Sequence, residues 1–187
     1  MHQEEWVLAK GMKILAVASL LLTAITAGIY GQWKMGWILS AAITFGTIAY
    51  HLWMRLLVGV VLDAAMKNRA DYTKRWYQLL PFEEELYKKW KVKQWKGNMP
   101  TYAPEIFSMK IHTPDEIAQA MCQAEIVHEV NVVLSFLPLF GTIWFGAFPV
   151  FLVTSLLAAG YDLLFVIMQR YNRPRMIRLA KSMKKRK

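Results

Sequence analysis

The sequence predicts an all-α, polytopic membrane protein with about four transmembrane helices and cytoplasmic amphipathic helices. Hydrophobic residues make up 56% of the 187. They gather in four runs, each long enough to cross a hydrocarbon core. Strongly charged segments separate the runs. A soluble fold of this length could also bury a core, so arrangement decides the class rather than composition.

The first run, Lys13–Tyr30, reads KILAVASLLLTAITAGIY. Its basic flank imitates a secretory signal, but a second apolar run follows after a few residues, which favours an uncleaved hairpin. That second run, Met35–Leu62, is interrupted only by His51 and Arg55. The third begins near Ile126 and the fourth, FGAFPVFLVTSLLAAGYDLLFVIM, follows almost at once. Pro138 is expected to kink the third helix and Pro149 to open or kink the fourth, since proline lacks an amide donor. The expected organisation is one membrane domain over residues 1–187. Within it lie a first hairpin at 1–62, a cytoplasmic amphipathic segment at 63–123, a second hairpin at 124–169 and a basic tail at 170–187.

Between Asp63 and Gln123 the segment looks like a surface helix as far as Leu80, and FEEELYKKWKVKQWK follows Pro81 with acids leading and lysines trailing. That order suits a helix dipole, and Trp90 and Trp95 suit an interface. Gly97–Tyr102 and Pro104 mark a loop. Thr113-Pro114-Asp115-Glu116 then carries the residues of a capping box with proline in the first turn.

The net charge is +10, from 23 Lys+Arg against 13 Asp+Glu. Beside apolar spans, this points to anionic lipid headgroups or an anionic substrate and not to nucleic acid. Segment 63–123 holds ten Lys/Arg, residues 169–187 hold nine, and the two short turns between spans hold one and none. The bias places both termini and the central segment on the cytoplasmic side of the membrane. The lone Cys122 rules out an intramolecular disulfide.

Polar residues inside the spans fall on shared faces. Ser40, Thr44, Thr47, His51 and Arg55 recur every three or four residues in the second span. In the third, Glu125, His128, Asn131 and Ser135 share a face, with Glu129 offset. The fourth contributes Asp162. Ionisable groups inside a membrane are costly and mark transport, proton transfer or catalysis. His128 is a candidate general base, with Glu125 the expected partner for its other ring nitrogen. Arg55 or Asn131 is a candidate oxyanion donor, and His51, Glu129 and Asp162 complete the polar cluster. No zinc-protease pattern is present, because position 132 is valine, and no serine elbow, phosphate loop or dinucleotide fingerprint appears. His112-Thr113-Pro114-Asp115 is too short for the histidine–aspartate box of soluble glycerolipid acyltransferases. No metal is expected. At the fourth span's exit, Arg170, Arg173 and Arg175 beside Asn172 could hold phosphates, together with Lys93. The final Lys/Arg run reads as a flexible, lipid-attracted tail.

At Ala124-Glu125-Ile126-Val127-His128 and Gln169-Arg170-Tyr171-Asn172-Arg173-Pro174-Arg175, the sequence resembles the bacterial glycosyl-4,4'-diaponeurosporenoate acyltransferase family. Trp90-Lys91, Lys93 to Lys96 and Asp115-Glu116-Ile117 extend the likeness over roughly residues 85–178. Carotenoid-assembling members attach a fatty acyl group to a sugar hydroxyl. The resemblance implies a membrane O-acyltransferase of the bacterial cell membrane, acting on a lipid-linked or glycosylated acceptor. It matches His128 to the family's membrane histidine, Glu125 to the preceding glutamate, and Arg170, Asn172, Arg173 and Arg175 to the C-terminal motif. This chain has His128-Glu129 where carotenoid members tend to have His-Trp. The expected donor is an acyl-CoA or acyl carrier protein thioester, with no tightly bound cofactor, and oligomerisation is possible. The alternatives are another membrane transferase or reductase with a phosphate-containing cofactor, such as a methyltransferase, or a non-enzymatic lipid-binding protein.

Overall fold

The computed structural model describes residues 2–186, with side chains described from Ala9 onward. Helices α1 (His2–Trp33) and α2 (Gly36–Met66) come first. The short α3 (Glu83–Lys89) and α4 (Val92–Trp95) follow, then α5 (Pro114–Leu134), the one-turn α6 (Thr142–Phe145) and α7 (Phe148–Lys185). Among the described residues there is no strand. Among the described residues, four stretches are long and apolar enough to cross a membrane: Ala9–Trp33, Gly36–Met66, Pro114–Phe145 and Phe148–Lys185. The chain is thus an all-helical, multi-pass membrane protein.

Two compact units divide the chain, residues 1–58 with 131–160 and residues 59–130 with 161–187. In the first, the indole of Trp53 donates to the Ala16 carbonyl at 3.1 Å, and the Tyr50 hydroxyl donates to the Leu134 carbonyl at 2.7 Å. Gly46 and Gly141 permit close approach: an added Cβ would stand 3.4 Å from Thr23 Cγ2 and 3.0 Å from the Phe151 ring, respectively. The hydroxyls of Ser40, Thr44 and Thr47 donate to carbonyls four residues back, which satisfies them inside the helix. Apolar side chains such as Leu15, Leu21, Val60 and Leu157 face outward on the span helices, as lipid contact requires.

The second unit has a small apolar core, including Tyr87, Val92, Ile117, Met121 and Phe165, around buried charged residues. Its α5 starts on the expected capping box. Thr113 N–H donates to Glu116 Oε2 at 2.8 Å, and Glu116 N–H donates to Thr113 Oγ1 at 3.3 Å.

Several local expectations are corrected. Residues 67–80 do not continue α2 as a surface helix. Lys67 and Asn68 take φ of 50° and 56°, and the Asn68 N–H donates to Gln123 Oε1 at 2.6 Å. An Asp71 carboxylate turn onto Thr73 then leads into the single 3-10 turn Arg75–Tyr77. Lys91, with φ 52°, likewise splits the next amphipathic stretch into α3 and α4. Pro138 does not kink a continuing helix: α5 stops at Leu134, and Pro138 enters the 3-10 segment Leu137–Gly141. Pro149 sits in the first turn of α7, where its missing N–H costs nothing. The basic tail is helical to Lys185.

Candidate functional site

The expected site residues fall into three groups. His51, Arg55 and Asn131 belong to the first unit. His51 is buried, and Asn131 is 1% exposed. Arg55 donates from Nη1 to the His51 carbonyl at 2.9 Å and from Nη2 to the Ala158 carbonyl at 3.1 Å. Both terminal nitrogens of that guanidinium, expected to meet an oxyanion, therefore hold main chain of their own unit. The other candidates all lie in the second unit, and the site is built there.

Within it, α5 and α7 run in opposite directions, since Glu125 pairs with residues 170 and 173 while His128 pairs with Asp162. One helical turn separates Glu125 from His128, so each finds its own partner on α7. The Nδ1 of His128 lies 2.8 Å from Asp162 Oδ1. Asp162 is 1% exposed and the imidazole 22%. Phe165 stacks on the ring with centroids 4.5 Å apart and planes 10° apart, and Tyr161 meets Phe165 edge-on. A buried carboxylate on Nδ1 holds the Nδ1–H tautomer and leaves Nε2 as the proton acceptor. This corrects the expectation that Glu125 orients His128: the carboxylate at that ring nitrogen comes from α7.

Glu125 has another task. It is wholly buried, accepts from Arg170 Nη1 at 2.6 Å and also pairs with Arg173 Nη1. Arg170 makes a two-point pair with Glu83, from Nε at 2.6 Å and Nη2 at 2.8 Å. The two guanidinium groups also take three consecutive main-chain carbonyls. Arg170 donates to those of Trp76 at 3.0 Å and Gln78 at 2.8 Å, and Arg173 donates to that of Tyr77. The Trp76 indole donates in turn to Glu129 Oε2 at 2.9 Å. Two arginines and two glutamates balance in charge, so desolvation is offset by pairing. Arg170 and Arg173, expected to grip phosphates, are instead engaged as a clamp on the 3-10 turn.

Outside the span, burial alone would raise the Glu83 pKa. Hydrogen bonds from Arg170, the Tyr87 hydroxyl at 2.6 Å and the Leu80 N–H at 2.6 Å outweigh it and hold the carboxyl below its ordinary value. The Tyr87 phenol is pushed up by burial and by Glu83.

Lys93 and Arg175 are exposed. Asn172 accepts a hydrogen bond from Lys96, whose ammonium also lies 4.7 Å from the centroid of the Tyr171 ring. Lys96, Glu83 and the carbonyls of residues 76–78 are the members that the sequence reading missed. Among the described residues, no group of three His, Cys, Asp or Glu is placed to hold a metal ion.

The matched region decides the family. The family model of glycosyl-4,4'-diaponeurosporenoate acyltransferase matches residues 73–182. The chain belongs to this family. The acyltransferase-family region includes the His128–Asp162 pair, the arginine clamp and the turn it holds, all within the second unit. It begins before the likeness at residues 85–178 and so takes in Trp76, Tyr77, Gln78 and Glu83. His51 and Arg55 lie outside it. No curated protein and no solved structure matches this chain.

Proposed function

We propose that this protein is a membrane O-acyltransferase, moving a fatty acyl group from a thioester donor to a hydroxyl of a lipid-linked or glycosylated acceptor. The observation that carries this reading is the His128–Asp162 pair, a part-exposed imidazole held through Nδ1 by a buried carboxylate within the family-matched region. The acceptor hydroxyl gives its proton to Nε2 as its oxygen attacks the thioester carbonyl. The C–S bond then breaks, and the departing thiolate takes the proton back from Nε2. Asp162 stabilises the imidazolium formed between these steps, as the aspartate does in a serine-hydrolase triad. Phe165 keeps the ring plane fixed. The donor is an acyl-CoA or an acyl carrier protein thioester reaching the protein from the cytoplasm.

The test is transfer of a labelled acyl group from acyl-CoA to glycolipid acceptors by the purified, lipid-reconstituted chain. His128→Ala should lower kcat by about 10²–10⁴-fold, the usual worth of a general base. Asp162→Asn should also lower kcat, by presenting the wrong tautomer, with a smaller effect on KM. Parental turnover by the His128→Ala variant, folded to the same degree, would remove the imidazole from the chemistry.

A further inference from the structure

Arg170 and Arg173 are engaged internally, but Arg175, further along α7, is exposed, as is Lys93. Arg175 follows Asn172 by three residues, which puts the two on one helical face. Lys93 precedes Lys96 by the same interval. Lys96 joins the two segments through its hydrogen bond to Asn172 and its seat over Tyr171. Asn172 accepts through Oδ1, so its NH₂ is turned to donate elsewhere. Among the described residues, no carboxylate forms an ion pair with Lys93, Lys96 or Arg175.

We propose that Lys93, Lys96 and Arg175, with the Asn172 amide, form an anion site for the phosphate group of a ligand. Three like charges drawn together with no acid between them repel one another, and a phosphate with several acceptor oxygens relieves that repulsion. The Lys96 ammonium is pushed below its ordinary value by burial, and further by Arg175 and Lys93, as expected of crowded cations.

The site's distance from the base suits an elongated ligand. Asp162 and Arg175 are thirteen positions apart on α7, about 20 Å along the axis at 1.5 Å per residue. A CoA or carrier-protein thioester holds its phosphate away from the reacting carbonyl on a long pantetheine arm. A membrane phospholipid offers the same phosphate chemistry at the bilayer surface. Assignment to the donor rests on the acyl-transfer reading; the anion site itself does not.

The full chain in phosphatidylcholine nanodiscs, titrated with coenzyme A, and the same chain in nanodiscs containing phosphatidylglycerol, scored for headgroup contact by lipid-probe quenching, distinguish the two sources. Lys93→Gln and Arg175→Gln change exposed side chains, so the fold is expected to persist. Each should weaken coenzyme A binding about tenfold and flatten its salt dependence. Charge-dependent binding of coenzyme A assigns the phosphate to the donor. Loss confined to phosphatidylglycerol contact assigns it to lipid. Parental binding of both probes by both variants, or no binding of either probe by the parent, overturns the site. His128→Ala should bind coenzyme A like the parent. Inactivity of the parent with intact, charge-dependent binding would therefore count against acyl transfer while leaving the anion site standing.

Discussion

Two carboxylates, Glu125 on α5 and Asp162 on α7, carry different burdens. Asp162 meets a part-exposed imidazole, whereas Glu125 is sealed between two guanidinium groups. Substitution separates these roles. Asp162→Asn retains a side chain of the same shape and is expected to act on rate. Glu125→Gln leaves Arg170 and Arg173 buried beside a neutral amide, and loss of one partner from a buried ion pair costs about 3–5 kcal/mol. We expect a clear fall in thermal unfolding midpoint for Glu125→Gln in detergent and a much smaller one for Asp162→Asn. Equal midpoints for the two variants would contradict this division. The sequence pointed to Glu125 as the partner of His128 and left Asp162 in the wider polar cluster, the reverse of the observed pairing. Three-residue spacing makes Glu125 a neighbour of His128, and only the antiparallel pairing of α5 with α7 gives the imidazole a different carboxylate.

At the scale of elements, the 3-10 turn Arg75–Tyr77 depends on charge supplied from elsewhere. It is short and makes few bonds of its own, and three successive carbonyls from Trp76 to Gln78 receive donors from α7. Glu83 anchors Arg170 from the other side through two hydrogen bonds. Because the Glu83 pKa is lowered on folding, its contribution is fully present above the ordinary value of 4.5 and is lost as pH falls through the folded value. The unfolding midpoint should therefore decline on acidification below about pH 4.5. Glu83→Gln should lower the midpoint at neutral pH and weaken that acid dependence; an unchanged acid limb would remove Glu83 as a source. Helix periodicity made the long spans and the Thr113–Glu116 cap legible in advance. The turn was not, because Asp63–Leu80 has a composition compatible with an amphipathic helix. What diverts it is nonlocal: Gln123 bonds Asp63 and Asn68 from α5, and the clamp pulls the later carbonyls towards α7. Arg170 and Arg173 were conspicuous in sequence for the same reason that they were misread, since guanidinium forks suit carbonyls and carboxylates as well as phosphates.

For the whole molecule, the charge distribution predicts the direction of the spans. Among the described residues, four helical stretches qualify as spans by length and composition. The segment between the second and third and the C-terminal part of the chain from Arg170 onward hold most of the Lys and Arg, while the turn at Lys34 has a single cation. Retention of basic segments on the cytoplasmic side predicts both termini inside and Lys34 outside. Cysteine labelling can read this with little background, because the chain's one cysteine, Cys122, is fully buried. Lys34→Cys should react with a membrane-impermeant maleimide on intact expressing cells. Lys185→Cys should react only after permeabilisation. Reversal of that pattern would put the basic end of α7 on the outer face, away from cytoplasmic thioesters, and the proposed donor would have no route to the protein. Labelling of both positions from outside would require an even number of crossings between them, so at least one of the three candidate spans from α2 to α7 would lie along the membrane without crossing it.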